Sequence, residues 1–164
     1  MSPSSKNNQI KINQFLQQAQ QHYQTAEHLL LITHPQLKDP KLYLAIINQL
    51  LSALDSAFEA LIISSTTTII KVPNFKVSIQ KFNYLLENKL LQNKISSSTL
   101  KQIHSLLNIP AQQQQSPIEF RRQEAYIICS PDYQQLQQLS PQLIQEYLHQ
   151  TKLFLQQIKE IIIN

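Results

Sequence analysis

The chain of 164 residues contains no glycine. Loops that cradle phosphate, the dinucleotide-binding fingerprint and the nucleophile elbow need a backbone that turns sharply or approaches a ligand closely. Glycine permits this and a Cβ resists it. P-loop nucleotide hydrolases, Rossmann enzymes and serine hydrolases are thereby disfavoured, and tight hairpin turns lose their preferred residue, which argues against a large antiparallel sheet. Asparagine is left to serve helix C-termini, and Asn93 and Asn108 stand where it is wanted. Cysteine is almost missing too. Cys129 alone cannot close an internal disulfide and has no Cys/His cluster of zinc spacing around it, so a cytoplasmic setting is expected. The segment from Met1 to Gln9 is polar, with no apolar signal-type core, and no apolar run reaches the roughly 18 to 20 residues that cross a bilayer. Neither secretion nor a membrane partner is expected.

Charge is sparse and mixed. The formal net charge is +4, but the 14 basic residues are interleaved with 10 acids, the pattern of a solvated surface more than of a dedicated nucleic-acid face. The glutamine excess, including Gln112 to Gln115, reads as solvated helix faces and one flexible loop.

What is present is helical periodicity around one stretch, Lys41 to Ile63. On a wheel of about 100 degrees per residue, Ile46, Ile47, Leu50, Ala53, Leu54, Ala57, Phe58, Ala60 and Leu61 cover well over half the circumference. The one polar stripe is Asn48, Ser52, Asp55 and Glu59. A helix so apolar is a core helix, with other helices wrapped around it. Before it, Ile12, Phe15, Leu16, Ala19, Tyr23, Ala26 and Leu30 share one face of a helix over Gln9 to Leu31, which Thr33, His34 and Pro35 are expected to end. Asp39 as N-cap and Pro40 at the first helical position then start the central helix, and the short connection makes the two antiparallel neighbours.

After the central helix, SSTTTIIKVPN reads as a connector of extended tendency. A third helix is expected over about Asn74 to Leu91 and a shorter one over Ser98 to Leu107, capped by Ser97 or Ser98. A last one runs from Ser140-Pro141 to about Ile162. Between them, Ile118 and Phe120 alternate with Glu119 and Arg121, and Tyr126 to Cys129 is a β-favouring run bounded by Ser130-Pro131, so a hairpin or irregular arm is expected. The expectation is an all-α, antiparallel four- or five-helix bundle with an irregular or hairpin-like arm at about 117–133. Residues 1–8 form a disordered lead and 9–163 a single domain.

Candidate chemistry is thin. Glu146 and His149 have the Glu-x-x-His spacing of diiron bundles, but they lie opposite the apolar centre of their helix and have no second copy, so no metal or cofactor is expected. His22, His28, His34 and His104 do not converge, and Cys129 reads as a small buried hydrophobe. Arg121 and Arg122 stand out, because all other basic residues are lysine and guanidinium suits carboxylate or phosphate. Three roles are open to them: an ion pair with Asp55 or Glu59 that ties the arm to the core, a phosphate or RNA contact made with Tyr126, or simple solvation.

The two N-terminal helices, the polar stripe on the second and the Arg-bearing segment resemble the HEPN superfamily of small helical bundles (higher eukaryotes and prokaryotes nucleotide-binding). More narrowly, Ser116-Pro117-Ile118-Glu119-Phe120-Arg121-Arg122, followed by Tyr126-Ile127-Ile128-Cys129 and Asp132-Tyr133, is similar to a motif of small, uncharacterised archaeal proteins. Catalytic HEPN ribonucleases place a His four to six residues after an Arg and use the pair for RNA cleavage. Here Arg121 is followed five positions on by Tyr126, and no His lies between Arg121 and Tyr133. A phenol titrates near ~10, so Tyr126 is a poor general base at neutral pH. The resemblance therefore implies a non-catalytic module that binds a partner protein, a second copy, or a nucleotide or RNA ligand. Its site would draw on Arg121, Arg122, Tyr126, Asn48, Asp55 and Glu59. The alternatives are a metal-independent ribonuclease using Arg121, Arg122 and Tyr126, and a structural subunit without ligand.

Overall fold

The apolar period of the N-terminal segment folds as helix α1 (Pro3–His28), which in the computed structural model runs antiparallel to the central helix α3 (Leu42–Ser65). The contacts give the direction: His22 meets Gln49 at 2.9 Å, while His34, later in the first helix, stacks on Tyr43, earlier in the second. The structure describes residues 3–66, 72–91 and 93–163. Residues 3–8, expected as a disordered lead, are solvent-facing turns of α1.

The end of α1 corrects the sequence reading. Pro35 does not stop the helix. One turn of π-helix (Leu29–Thr33) widens the ladder, and a last turn, α2 (His34–Leu37), follows it directly and carries Pro35. The chain breaks only at Lys38, in the left-handed conformation at φ 52°, with its N–H on the His34 carbonyl at 2.7 Å. Asp39 then caps the entry to α3, its carboxylate accepting the Lys41 N–H at 2.9 Å.

Helix α3 is the centre of the packing. Twelve of its residues are buried, from Tyr43 to Ile62, and α1, α4 (Ser78–Glu87) and α7 (Pro141–Ile163) pack against it. Phe58 meets Phe82 of α4 at 5.8 Å and Phe154 of α7 edge-on at 5.7 Å, so three helices converge on one aromatic cluster. By length and composition α3 could cross a membrane, contrary to the expectation that no segment is apolar enough; in this fold 61% of its most apolar stretch is buried against the other helices. The expected connector after it falls partly on residues 67–71, outside the described residues. Its first two residues, Ser64 and Ser65, belong instead to the last turn of α3, and only Thr66 is extended as expected.

Helix α4 is shorter than the periodicity suggests, and closes through Lys89 at φ 57° with Leu90 N–H on the Leu85 carbonyl and Lys89 N–H on the Leu86 carbonyl, both at 3.0 Å. This is the Schellman arrangement, with lysine where glycine is usual. Helix α5 (Ser97–Leu107) is capped by Ser96, one residue before the expected pair, its hydroxyl accepting the Thr99 N–H at 3.2 Å. Asn93 is left-handed (φ 65°), but Asn108 is not: it stays right-handed and joins α5 directly to α6 (Ile109–Gln115). The glutamine run, expected as a flexible loop, is this helix.

The arm is a three-stranded antiparallel sheet in the order β1 (Ile118–Arg122), β2 (Ala125–Cys129), β3 (Leu136–Leu139). The hairpin was expected and the third strand was not; the molecule is mostly helical, not all-α. All five β2 residues are buried, because β2 is the central strand, whereas four of the five β1 residues are exposed. Tyr126, Ile128 and Leu139 join the main core, while Ala125, Ile127, Cys129 and Ile118 form a second small cluster. Ser140 starts α7, its hydroxyl accepting the Leu143 N–H at 3.2 Å.

Candidate functional site

The polar stripe of α3 meets a lysine. Lys81, on α4, reaches Asp55 at 2.9 Å and Glu59 at 2.9 Å, and Ser78 of the same helix donates to Asp55 at 2.6 Å. Only 12% of the Lys81 side chain is exposed. Burial pushes its pKa down, but the hydrogen bonds and charges of Glu59 and Asp55 outweigh that and raise it, so it stays an ammonium ion at neutral pH. The expected arginine bridge to this stripe is thus replaced by α4. Sequence spacing held the signal, since Ser78 and Lys81 share a face at i and i+3, but nothing local assigned that face to α3.

Beside this latch lies a shallow groove of about 350 Å³ lined by His22, Ser52, Asp55, Ser56 and Ser78. It holds serine, histidine and aspartate without a relay. The Ser78 hydroxyl is spent on Asp55, and His22 Nδ1 pairs with Gln49. Nucleophilic activation needs serine on a base oriented by a third group, and these contacts are not that chain. Asn48, at the other end of the stripe, is exposed.

The arginines stand at the opposite end of α3. Arg121 reaches Asp39 at 3.3 Å, just ahead of that helix. At a rise of about 1.5 Å per residue, Asp55 lies roughly 20 Å further along the axis, well beyond a guanidinium's reach. The six expected site residues therefore fall into two places.

Arg121 and Arg122 also part from each other. In a strand successive side chains take opposite faces. The register pairs Arg121 with Tyr126 and Arg122 with Ala125, which puts Arg121 on the main-core face and Arg122 on the face of the second cluster. Arg121 and Tyr126 are neighbours, but the tyrosine is occupied. Its hydroxyl donates to Glu119 at 2.9 Å and only 6% of the residue is exposed. Burial, then the Glu119 carboxylate, raises its pKa, so it holds its proton more tightly than free tyrosine. A general-base role for Tyr126 is correspondingly worse than the sequence suggested.

Arg121 itself is open. Its side chain is 60% exposed and makes one bond to a carboxylate that also caps α3. Asp39 and Glu119 went unnoticed as its surroundings because both read locally as a cap and a strand residue. Among the described residues no group of three or more His, Cys, Asp or Glu is placed to hold a metal ion. Glu146 accepts from Gln150 at 2.8 Å, and His149 is exposed. Cys129 is fully buried, with its thiol on the Ser130 carbonyl.

Sequence reasoning also missed Tyr43. It is fully buried at the start of α3, its ring stacked on His34 at 4.9 Å, and its hydroxyl has no hydrogen-bond partner. It forms the floor of a groove of about 540 Å³ between the end of α1, the β1–β2 turn and the start of α7. Set against known proteins, this chain matches no family model, no curated protein and no solved structure.

Proposed function

We propose that this chain is a non-catalytic, HEPN-like helical-bundle module that binds a partner protein by capturing an acidic side chain at Arg121. The observation that carries the reading is the state of that guanidinium: half-open to solvent, on an edge strand, and satisfied by a single 3.3 Å contact that leaves most of its donors available. The acids of the α3 stripe are already paired with Lys81, so Arg121 is not held in reserve for the core.

The surroundings favour a protein over a nucleic acid. Asp39, Glu119 and Glu124 flank Arg121 and Arg122 in sequence or space, so the local field is mixed and not the basic stripe that a polyanion selects. A phosphate on a nucleotide or RNA is the rival ligand for the same fork. The geometry does not favour the ribonuclease alternative, since Tyr126, the cross-strand neighbour of Arg121, has its hydroxyl tied to Glu119.

The test is a three-way comparison of wild type, Arg121→Ala and the Arg121→Ala, Arg122→Ala double variant. Selection from a displayed peptide library should enrich Asp- or Glu-containing sequences on wild type and lose them on Arg121→Ala. Salt-sensitive binding of an RNA oligonucleotide, lost in the double variant, would move the reading to nucleic acid. RNA cleavage by wild type but not by the double variant would replace it with an enzyme.

A further inference from the structure

The groove floored by Tyr43 does not depend on Arg121. We infer that it is a binding site for a small, uncharged, planar ring compound that carries a hydrogen-bond acceptor, with the Tyr43 hydroxyl donating to that acceptor.

Four observations define the occupant. The size, about 540 Å³, falls in the range of small-molecule pockets. Tyr43 lines this groove, its hydroxyl has no hydrogen-bond partner and the residue is 0% exposed, and a buried hydroxyl left unpaired costs more than one that is bonded. Burial and then the Glu124 carboxylate raise its pKa, so the hydroxyl keeps its proton and can donate it to an acceptor on the ligand. The His34 ring stacked on Tyr43 extends the aromatic surface, which suits a planar molecule.

Charge narrows it further. Leu30, Pro40 and Pro141 supply apolar walls, and the groove is lined by one acid, Glu124, and one lysine, Lys38, a balance that selects neither anion nor cation. Pro40 and Leu30 are themselves buried, so that wall is part of the core. The exposed side chains of Gln123 and Glu124 sit on the two-residue turn between β1 and β2 and line the groove, and the inference requires them to swing aside for a ligand to reach the covered hydroxyl. The π-helical turn agrees with the assignment: Leu30 and Leu31 line the groove from within it, and such turns are frequent at functional sites.

Acetophenone, which has a ring and one carbonyl acceptor, and ethylbenzene, its counterpart of similar shape without the acceptor, are the probes. Amide chemical-shift titrations are run on the full chain as wild type, Tyr43→Phe and His34→Ala. Acetophenone should give saturable shifts at His34 and in the Gln123–Glu124 turn, and bind Tyr43→Phe about five- to tenfold more weakly, the worth of one neutral hydrogen bond. Ethylbenzene should bind wild type and Tyr43→Phe alike, and His34→Ala should weaken both probes. Equal acetophenone affinity in wild type and Tyr43→Phe, saturable shifts elsewhere, or none at all would overturn the site. Tyr43→Phe removes only an unpaired hydroxyl and should fold at least as well as wild type. A lower melting temperature for it would show that the hydroxyl serves a buried water instead, and would overturn the inference as well.

Discussion

Replacing Lys81 with methionine tests how the core helix is held. The substitution keeps the length and apolar stem of the side chain and deletes its charge, leaving Asp55 and Glu59, one helical turn apart on α3, without a cation. Breaking a fully buried pair costs about 3 to 5 kcal/mol, and a surface pair is worth about 0.2 to 1 kcal/mol. Here the ammonium is 12% exposed but the carboxylates are 38% and 31% exposed, so solvent takes over part of their stabilisation. The expected loss at neutral pH is roughly 2 kcal/mol, about 4 to 8 °C in melting temperature for a domain of this size. Urea unfolding followed by circular dichroism measures it. The pH dependence supplies a second check. Because the Lys81 pKa is raised by folding, its contribution is fully present below the unfolded lysine value of about 10.4 and is lost as pH rises through the higher folded value. The gap between wild type and variant should therefore hold from neutral pH to about pH 10 and close above it. A loss under about 0.5 kcal/mol at pH 7 would refute the reasoning, because the stripe would then be a solvated face with no need of α4.

Two further changes probe the consequences of having no glycine and of one idle hydroxyl. Lys89→Gly should stabilise the fold by about 0.5 to 1 kcal/mol, since left-handed strain of about 1 to 2 kcal/mol is relieved and part of it returns as unfolded-chain entropy; chemical denaturation measures this at a position that is exposed. Thr151 is fully buried in α7 with a hydroxyl that has no hydrogen-bond partner, so Thr151→Val should raise stability by up to about 1 kcal/mol, and a loss on thermal melting would mean that the hydroxyl is satisfied in solution.

The site divided unevenly between what sequence pattern carries and what it omits. The importance of Arg121 was legible, because it is one of two arginines in a chain whose other basic residues are lysine, and its neighbourhood with Tyr126 followed from a hairpin register. The grouping with Arg122 was not: adjacency in sequence places two strand residues on opposite faces, so the pair that looks like a clamp is split by the sheet. Tyr43 carried no signal at all. An aromatic at the start of an apolar helix reads as core, and its hydroxyl becomes notable only when every neighbour is in place.

The local period of apolar residues was enough to determine α1, α3 and α7, and Asp39-Pro40 and Ser140-Pro141 placed two of their starts, because a helix face and a cap depend on residues within a few positions of each other. Tertiary structure alone decided that Lys81 answers Asp55 and Glu59, that Gln112 to Gln115 lie in a helix beside the sheet, and that Leu136 to Leu139 add a third strand. Each of these depends on a partner distant in the chain. A lysine, a glutamine run or the sequence LQQL has no strong preference of its own, and takes the state that lets nearby charges and backbone groups be satisfied.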